Sequence, residues 1–412
     1  MKRIAFVLGM ALALPLAASE PAKVTAAAPP RSELTLSQAF DLAWQRQPAA
    51  QALPGRQAQS RAESELAAAW TPSAPKVTLG TLPDRYNDRA GWREWEAELA
   101  VPLWLPGQRD AQQALAQSQQ ALVGLQAGAQ RLELAGMLRD AWWRLAAAAN
   151  ASALAQGRLD WANALLVDVD RRWRAGELPR TDANVARAEA QVAESESIEA
   201  RNGERQAANA WRALTGVAPP TSLPEEAPAA AAADPVSANP RLLAINAAIA
   251  RARARAHLQD KSAREAPELT LRVLREQSNS AEPWANAVGV KISIPFSSGP
   301  RLASEGAGVA ADLAEAEAQA LQLREQLQLD AEAARLDLQA ADHRLALART
   351  RAELAADTLA LVQRAFTLGE ADLATLLRAR AAASDADAER GRQRIARASA
   401  ISQLNQVIGV LP

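Results

Sequence analysis

The chain has 412 residues with 46 basic and 47 acidic side chains, a formal net charge of -1, so its bulk electrostatics recruit neither nucleic acid nor an acidic partner. It contains no Cys, which excludes disulfides, thiolate metal sites and Cys nucleophiles, and leaves no cysteine for a lipid anchor. Eleven of the sixteen aromatic residues are Trp, and helices this rich in Ala and poor in large apolar groups pack as narrow coiled-coil seams rather than around a thick core.

Residues 1–19 read as a secretory signal. Lys2 and Arg3 precede an apolar run from Ile4 to Leu16, and Ala17, Ala18 and Ser19 supply small residues for cleavage. That run is too short to span a bilayer. Residues 20–33 are a Pro/Ala linker. A helix begins near Leu34, with Ser37 as the expected N-cap and Ala39, Phe40, Ala43 and Trp44 as its apolar stripe. It resumes after Pro48 and stops at Trp70, before a Pro-rich turn.

Two strands follow. Lys76 to Leu82 places Val77, Leu79 and Thr81 on one face. After a charged loop, the stretch WREWEAELAVPLWLPG (92–107) alternates Trp95, Ala97, Leu99, Val101 and Leu103 against Glu94, Glu96 and Glu98. Period two predicts a hairpin with one apolar and one wet face. Residues 108–175 then carry no Pro and predict a helix of roughly 100 Å at about 1.5 Å per residue. Gly176 and Glu177 open a turn, and Thr181 or Asp182 is the expected cap of a return helix to Leu214.

Residues 217–239 are a Pro/Ala-rich linker, after which the order repeats: helix, strand (268–276), strand (284–296), long helix, turn at Gly369 and Glu370, return helix. The second long strand sets Asn286, Val288, Val290, Ile292, Ile294 and Phe296 against Ala287, Gly289, Lys291 and Ser293. Val101 maps onto Ile294, Gly176 onto Gly369 and Leu214 onto Val407, each with an offset of 193 (294 − 101); Pro48 maps onto Pro240 and Pro75 onto Pro267 with 192 (240 − 48). Ordered landmarks with a single slip indicate an internal duplication, repeat 1 at 34–216 and repeat 2 at 240–412.

Each half offers two strands of the length a tilted strand needs to cross a bilayer. Four strands cannot close a barrel, and open edges in lipid would leave backbone groups unpaired, so membrane strands would require several chains to share one barrel. In that reading Trp92, Trp95, Trp104 and Trp284 suit the interfacial girdles, with ordinary packing as the alternative. Glu94, Glu96 and Glu98 would face the lumen, where symmetry stacks them into cation-favouring rings that Arg272 and Lys291 partly neutralise. A solvated strand face without selectivity is the alternative.

The segments LTLSQAFDLAWQRQP, VPLWLPGQR, IPFSSGPR, RWRAGELPRTDANVARAEA and RAFTLGEADLATLLRARA, with the endings ALTGV and QVIGV, resemble the TolC family of outer-membrane efflux proteins from about Leu34 to Val410. The resemblance implies a fold that is mostly α with a β-barrel part: a homotrimer with a twelve-stranded barrel in the outer membrane of a Gram-negative bacterium, and a periplasmic α-helical barrel. It further implies tips that dock on a periplasmic adaptor (membrane fusion) protein and an inner-membrane efflux pump. The sequence style is similar to members serving heavy-metal or small-cation pumps. Polar links between tip helices close the entrance in this family, which makes Asp182 and Arg187 gate candidates, with Gly176, Glu177, Gly369, Glu370 and Asp372 at the turns. Thr375 and Arg378 stand where some members carry entrance-lining aspartates, a departure from the family pattern. Capping and solvated surface are the alternative for all of them. No phosphate loop, nucleophile elbow or HExxH motif is present, so no enzyme and no cofactor are expected. A soluble periplasmic coiled-coil scaffold or adaptor is the competing reading, against which the duplicated strand–hairpin unit speaks.

Overall fold

The computed structural model describes residues 34–83, 91–229, 234, 236–262, 264–279, 281–296 and 299–412. The expected signal segment and first linker lie outside the described residues, as do parts of the 83–91 loop and of the 217–239 segment.

Helix α1 (Leu36–Arg46) is capped two residues earlier than the Ser37 cap expected. Thr35 is the N-cap, and its hydroxyl accepts from the Gln38 N–H while the Gln38 amide oxygen accepts from the Thr35 N–H. This reciprocal box needs Gln three residues after the cap, a spacing that Ser37 lacks. Helix α2 (Pro48–Ala67) carries Pro at its first position, and strands β1 (Lys76–Pro83) and β2 (Arg93–Pro102) follow. Helix α3 (Gln108–Arg174) has 67 residues, about 100 Å of rise. Helix α4 (Arg180–Thr215) returns along its far half. Its N-cap is Pro179 with no side-chain cap, so Thr181 and Asp182 sit inside the first turn instead of capping it. The second half repeats the order as α5 (Pro240–Lys261), β3 (Glu268–Gln277), β4 (Ala285–Ser293), the 69-residue α6 (Gly299–Thr367) and α7 (Leu373–Ile408).

The four strands form one antiparallel sheet in the order β1-β2-β3-β4. The two halves of the chain meet at its centre, where Glu98 pairs with Arg272 and Ala97 with Val273. Among the described residues neither β1 nor β4 has a strand partner on its outer side. The chain thus supplies four strands in one open sheet, the number expected of each copy.

Helix α5 packs beside the sheet-proximal half of α3 and against α6, so each long helix is flanked by two shorter ones stacked end to end. The core lies midway along the bundle. Phe40 and Ala43 of α1 pack with Leu138 and Trp142 of α3 and Trp211 of α4, and the two indole rings lie 5.4 Å apart.

The described residues of the 217–239 segment, linker-like in composition, are tied down. Arg139, 3% exposed, sends Nε and Nη2 to the two oxygens of Glu226 at 2.9 and 2.8 Å. Its Nη1 donates to Gln406 and its Nη2 also to the Val410 carbonyl. The Asn405 amide accepts from the Ala229 N–H and donates to the Ala227 carbonyl, and Val236 is fully buried. One arginine thus joins helix α3, the connection between repeats and the C-terminal residues.

Candidate functional site

Two regions hold the candidate residues: the faces of the sheet, and the helical turns some 100 Å away along α3.

In the sheet, paired residues share a face. One face carries Glu94, Glu96, Glu98, Arg272, Glu276 and Lys291, together with small residues and two leucines, Leu82 and Leu274. The other carries Val77, Leu79, Leu99, Leu271, Val273, Val288, Val290 and Ile292. Burial is inverted relative to a water-soluble sheet. Leu79 is 78% and Val288 73% exposed, whereas the Glu94 and Glu96 side chains are 16% and 23% exposed. Crowding on the polar side is what a sheet curled around that face produces. Leaving the apolar face in water would forgo on the order of 10 kcal/mol of burial.

Arg272 sits among the three glutamates, 2.5 Å from Glu96 and 3.6 Å from both Glu94 and Glu98. Its Nε–H makes an ion pair with Glu96 without the alignment of a hydrogen bond. Lys291 lies one row nearer the helices, opposite Thr270. Glu276, which sequence reasoning missed, is paired with Glu94 at the loop end. Its place on the charged face depends on the β2–β3 register, which no local pattern encodes.

Of the four tryptophans expected at interfaces, Trp95 projects from the apolar face and is well exposed. Trp284 lies under the Arg275 guanidinium at 5.0 Å, and Trp92 precedes β2, half-buried. Trp104 donates its indole N–H to the Ala69 carbonyl and is held against the end of α2. At the helix end Trp70 and Phe296 are 95% and 94% exposed. Trp70 reads in sequence only as the last residue before a Pro turn.

At the tips, Gly176 and Gly369 adopt φ of +82° and +81°, the left-handed conformation that lets the N–H groups of Glu177 and Glu370 reach back to Arg172 and Ala365. Glu177 also pairs with Arg172 at 3.4 Å. Asp372 caps α7 by accepting from the Thr375 N–H at 2.8 Å, and Arg378 donates to the Thr375 hydroxyl. The Thr375 side chain and then its backbone N–H hold the Asp372 carboxyl below its ordinary pKa. Asp372, Thr375 and Arg378 therefore form one local capping network.

Arg187 does not meet Asp182. It pairs with Asp170 at 2.6 Å and lies over the Trp173 ring, while Asp170 also binds Arg174. Contacts between the two hairpins are made elsewhere, by Arg172 over Phe366 and Arg380 over Trp161. Burial lowers the Arg380 pKa. Beneath them Leu165, Val169, Ala183 and Ala186 of one hairpin pack with Leu359, Phe366, Leu373 and Leu376 of the other. Asp170 was not among the residues singled out in the sequence; its role follows from the packing of α3 against α4.

Among the described residues no group of three or more His, Asp and Glu could hold a metal ion, and no helix is long and apolar enough to cross a membrane.

The fold is that of solved outer-membrane channels. The outer membrane protein VceC from Vibrio cholerae is similar over 91% of this chain and 96% of its own, at 18% identity and a TM-score of 0.72. The Campylobacter jejuni CmeC outer membrane channel is similar over 91% and 85%, at 13% identity and 0.73. The open-state Neisseria gonorrhoeae MtrE outer membrane channel is similar over 91% and 89%, at 15% and 0.71. No protein-family model and no curated sequence matches the chain. The resemblance to the TolC family thus holds at the level of the fold.

Proposed function

We propose that three copies of this chain share one twelve-stranded barrel in the outer membrane and act as the passive exit duct of a tripartite efflux system. The helical tips would receive substrate from an inner-membrane pump through a periplasmic adaptor. The observation that carries this reading is the inverted sheet: its apolar face is exposed, its charged face is sheltered and both edges are open. Lipid is the solvent that such an apolar face suits, and a second and third copy supply the partners for the edges. Strand β2 has ten residues, which at about 3.3 Å each and a tilt near 40° rise roughly 25 Å, the height of an outer-membrane apolar band. Residues 1–19 would export the chain, and 34–216 and 240–412 would be the two repeats joined by 217–239.

A soluble scaffold or adaptor is disfavoured by the same face, which such a protein would leave in water. Nothing in the duct reading calls for catalysis or a cofactor. The wall carries five carboxylates (Glu94, Glu96, Glu98, Glu268, Glu276) against Lys76, Arg272 and Lys291, so small cations, metal ions included, are the cargo class it favours. Planar-bilayer recording tests the proposal: a large, weakly cation-selective conductance supports it, and no conductance from membrane-inserted protein contradicts it.

A further inference from the structure

The apolar face of the sheet changes character at its loop end. The register puts Arg93 opposite Gln277, and Arg275 between Trp95 and Asn286, all on the side that carries Leu79, Val273 and Val288 nearer the helices. Every carboxylate of the four strands lies on the opposite face. Among the described residues neither Arg93 nor Arg275 takes part in an ion pair; Arg275 lies over the Trp284 ring. As diagonal neighbours on adjacent strands, the two arginines stand roughly 7–8 Å apart at their backbones. A guanidinium bordering hydrocarbon is costly without an anionic partner.

Directly beneath Arg275 runs an open groove of about 430 Å³, lined by Leu79, Thr81, Trp95, Ala97, Val273 and Arg275 itself. It exists because Ala97 is small between Trp95 and Leu99. A basic pair above an apolar groove is complementary to an amphiphile with an anionic head and a hydrocarbon tail.

We propose that Arg93 and Arg275 bind the phosphate of an anionic lipid headgroup in the leaflet at the loop end, with one acyl chain in the groove over Ala97. The site rests on the membrane reading of the sheet. The forked N–H groups of arginine match phosphate oxygens two at a time, and basic clusters at a bilayer surface draw anionic headgroups. Trp95 and Trp284 hold the interfacial depth at which the two meet.

The test uses the full chain extracted in detergent, with diphosphoryl lipid A, monophosphoryl lipid A, phosphatidylcholine and inorganic phosphate as separate probes, read by native mass spectrometry. The diphosphoryl lipid is retained best, and inorganic phosphate alone does not bind saturably. Arg93→Gln with Arg275→Gln lowers retention by about tenfold or more, as expected from losing a charge-assisted hydrogen bond. Ala97→Leu, which fills the groove and keeps both charges, lowers it as well. An alkaline wash of membranes run in parallel separates the two ideas. Protein that stays in the pellet but binds the lipids without discrimination, or binds equally well in the Gln variant, or takes up free phosphate as readily, overturns the lipid site and leaves the duct standing. Protein released by the wash overturns the membrane reading and the lipid site with it.

Discussion

Arg139 and Glu226 form a two-pronged ion pair across 87 residues of sequence, with the arginine almost wholly buried at the waist of the bundle. The same guanidinium holds Gln406 and the carbonyl of Val410, so the helix, the connection and the C-terminal residues are fixed by one side chain.

Replacing Arg139 by Met leaves Glu226 without its partner, and a broken buried pair costs about 3–5 kcal/mol. Thermal unfolding of the extracted protein should therefore shift strongly for Arg139→Met. Adding Glu226→Leu should recover most of the loss, since a buried pair replaced by apolar groups is often near neutral. A double variant as unstable as the single one would show that the pair is not the source.

At the tips, Asp170 rather than Asp182 is the partner of Arg187. Arg187→Ala and Asp170→Ala should each loosen the first hairpin and raise small-solute leak by similar amounts, whereas Asp182→Ala should leave it near the wild-type level. Single-channel conductance reads the difference. Leak that follows Asp182 alone would return the entrance to the residue the family pattern points to.

Asp372 caps α7 as a carboxylate, and its pKa is depressed by the Thr375 side chain and N–H. A depressed acid contributes stability above its ordinary pKa and loses it as pH falls through the lowered value. Acidification into that range should fray Leu373 to Leu376, seen as faster amide exchange relative to unstructured controls at the same pH. Asp372→Asn, which caps without ionising, should remove the pH dependence. An identical pH profile in the variant would assign the titration to another group.

On the charged face of the sheet, Arg272 offsets three glutamates. Arg272→Gln should raise the cation-to-anion permeability ratio, and Glu96→Gln should lower it; reversal potentials under a salt gradient measure both. Equal ratios in both variants would mean that this row does not border the conducting path.

Much of the architecture was legible locally. Alternation of Glu94, Glu96 and Glu98 with Trp95, Ala97 and Leu99 gave strand and faces together, because side chains in a strand alternate with period two. Gly176 and Gly369 marked the turns because a left-handed cap favours Gly. What stayed hidden depends on contacts distant in sequence. The 217–239 segment has the composition of a loose linker, and only Arg139 and Asn405, far away along the chain, reveal that it is docked. The position of Arg272 among the glutamates, and of Arg275 on the opposite face, follows from the β2–β3 register between repeats. The hydrogen bond that holds Trp104 to Ala69, 35 residues away, likewise has no local signal.

The shared barrel is the central claim, and the mass of the particle extracted by detergent from alkaline-washed outer membranes tests it most directly. A particle of three chains that resists the wash is the predicted result, because only closure between copies pairs the open edges of β1 and β4. A single chain released without detergent would contradict it: the apolar face would then meet water or another protein, and the duct would have no wall.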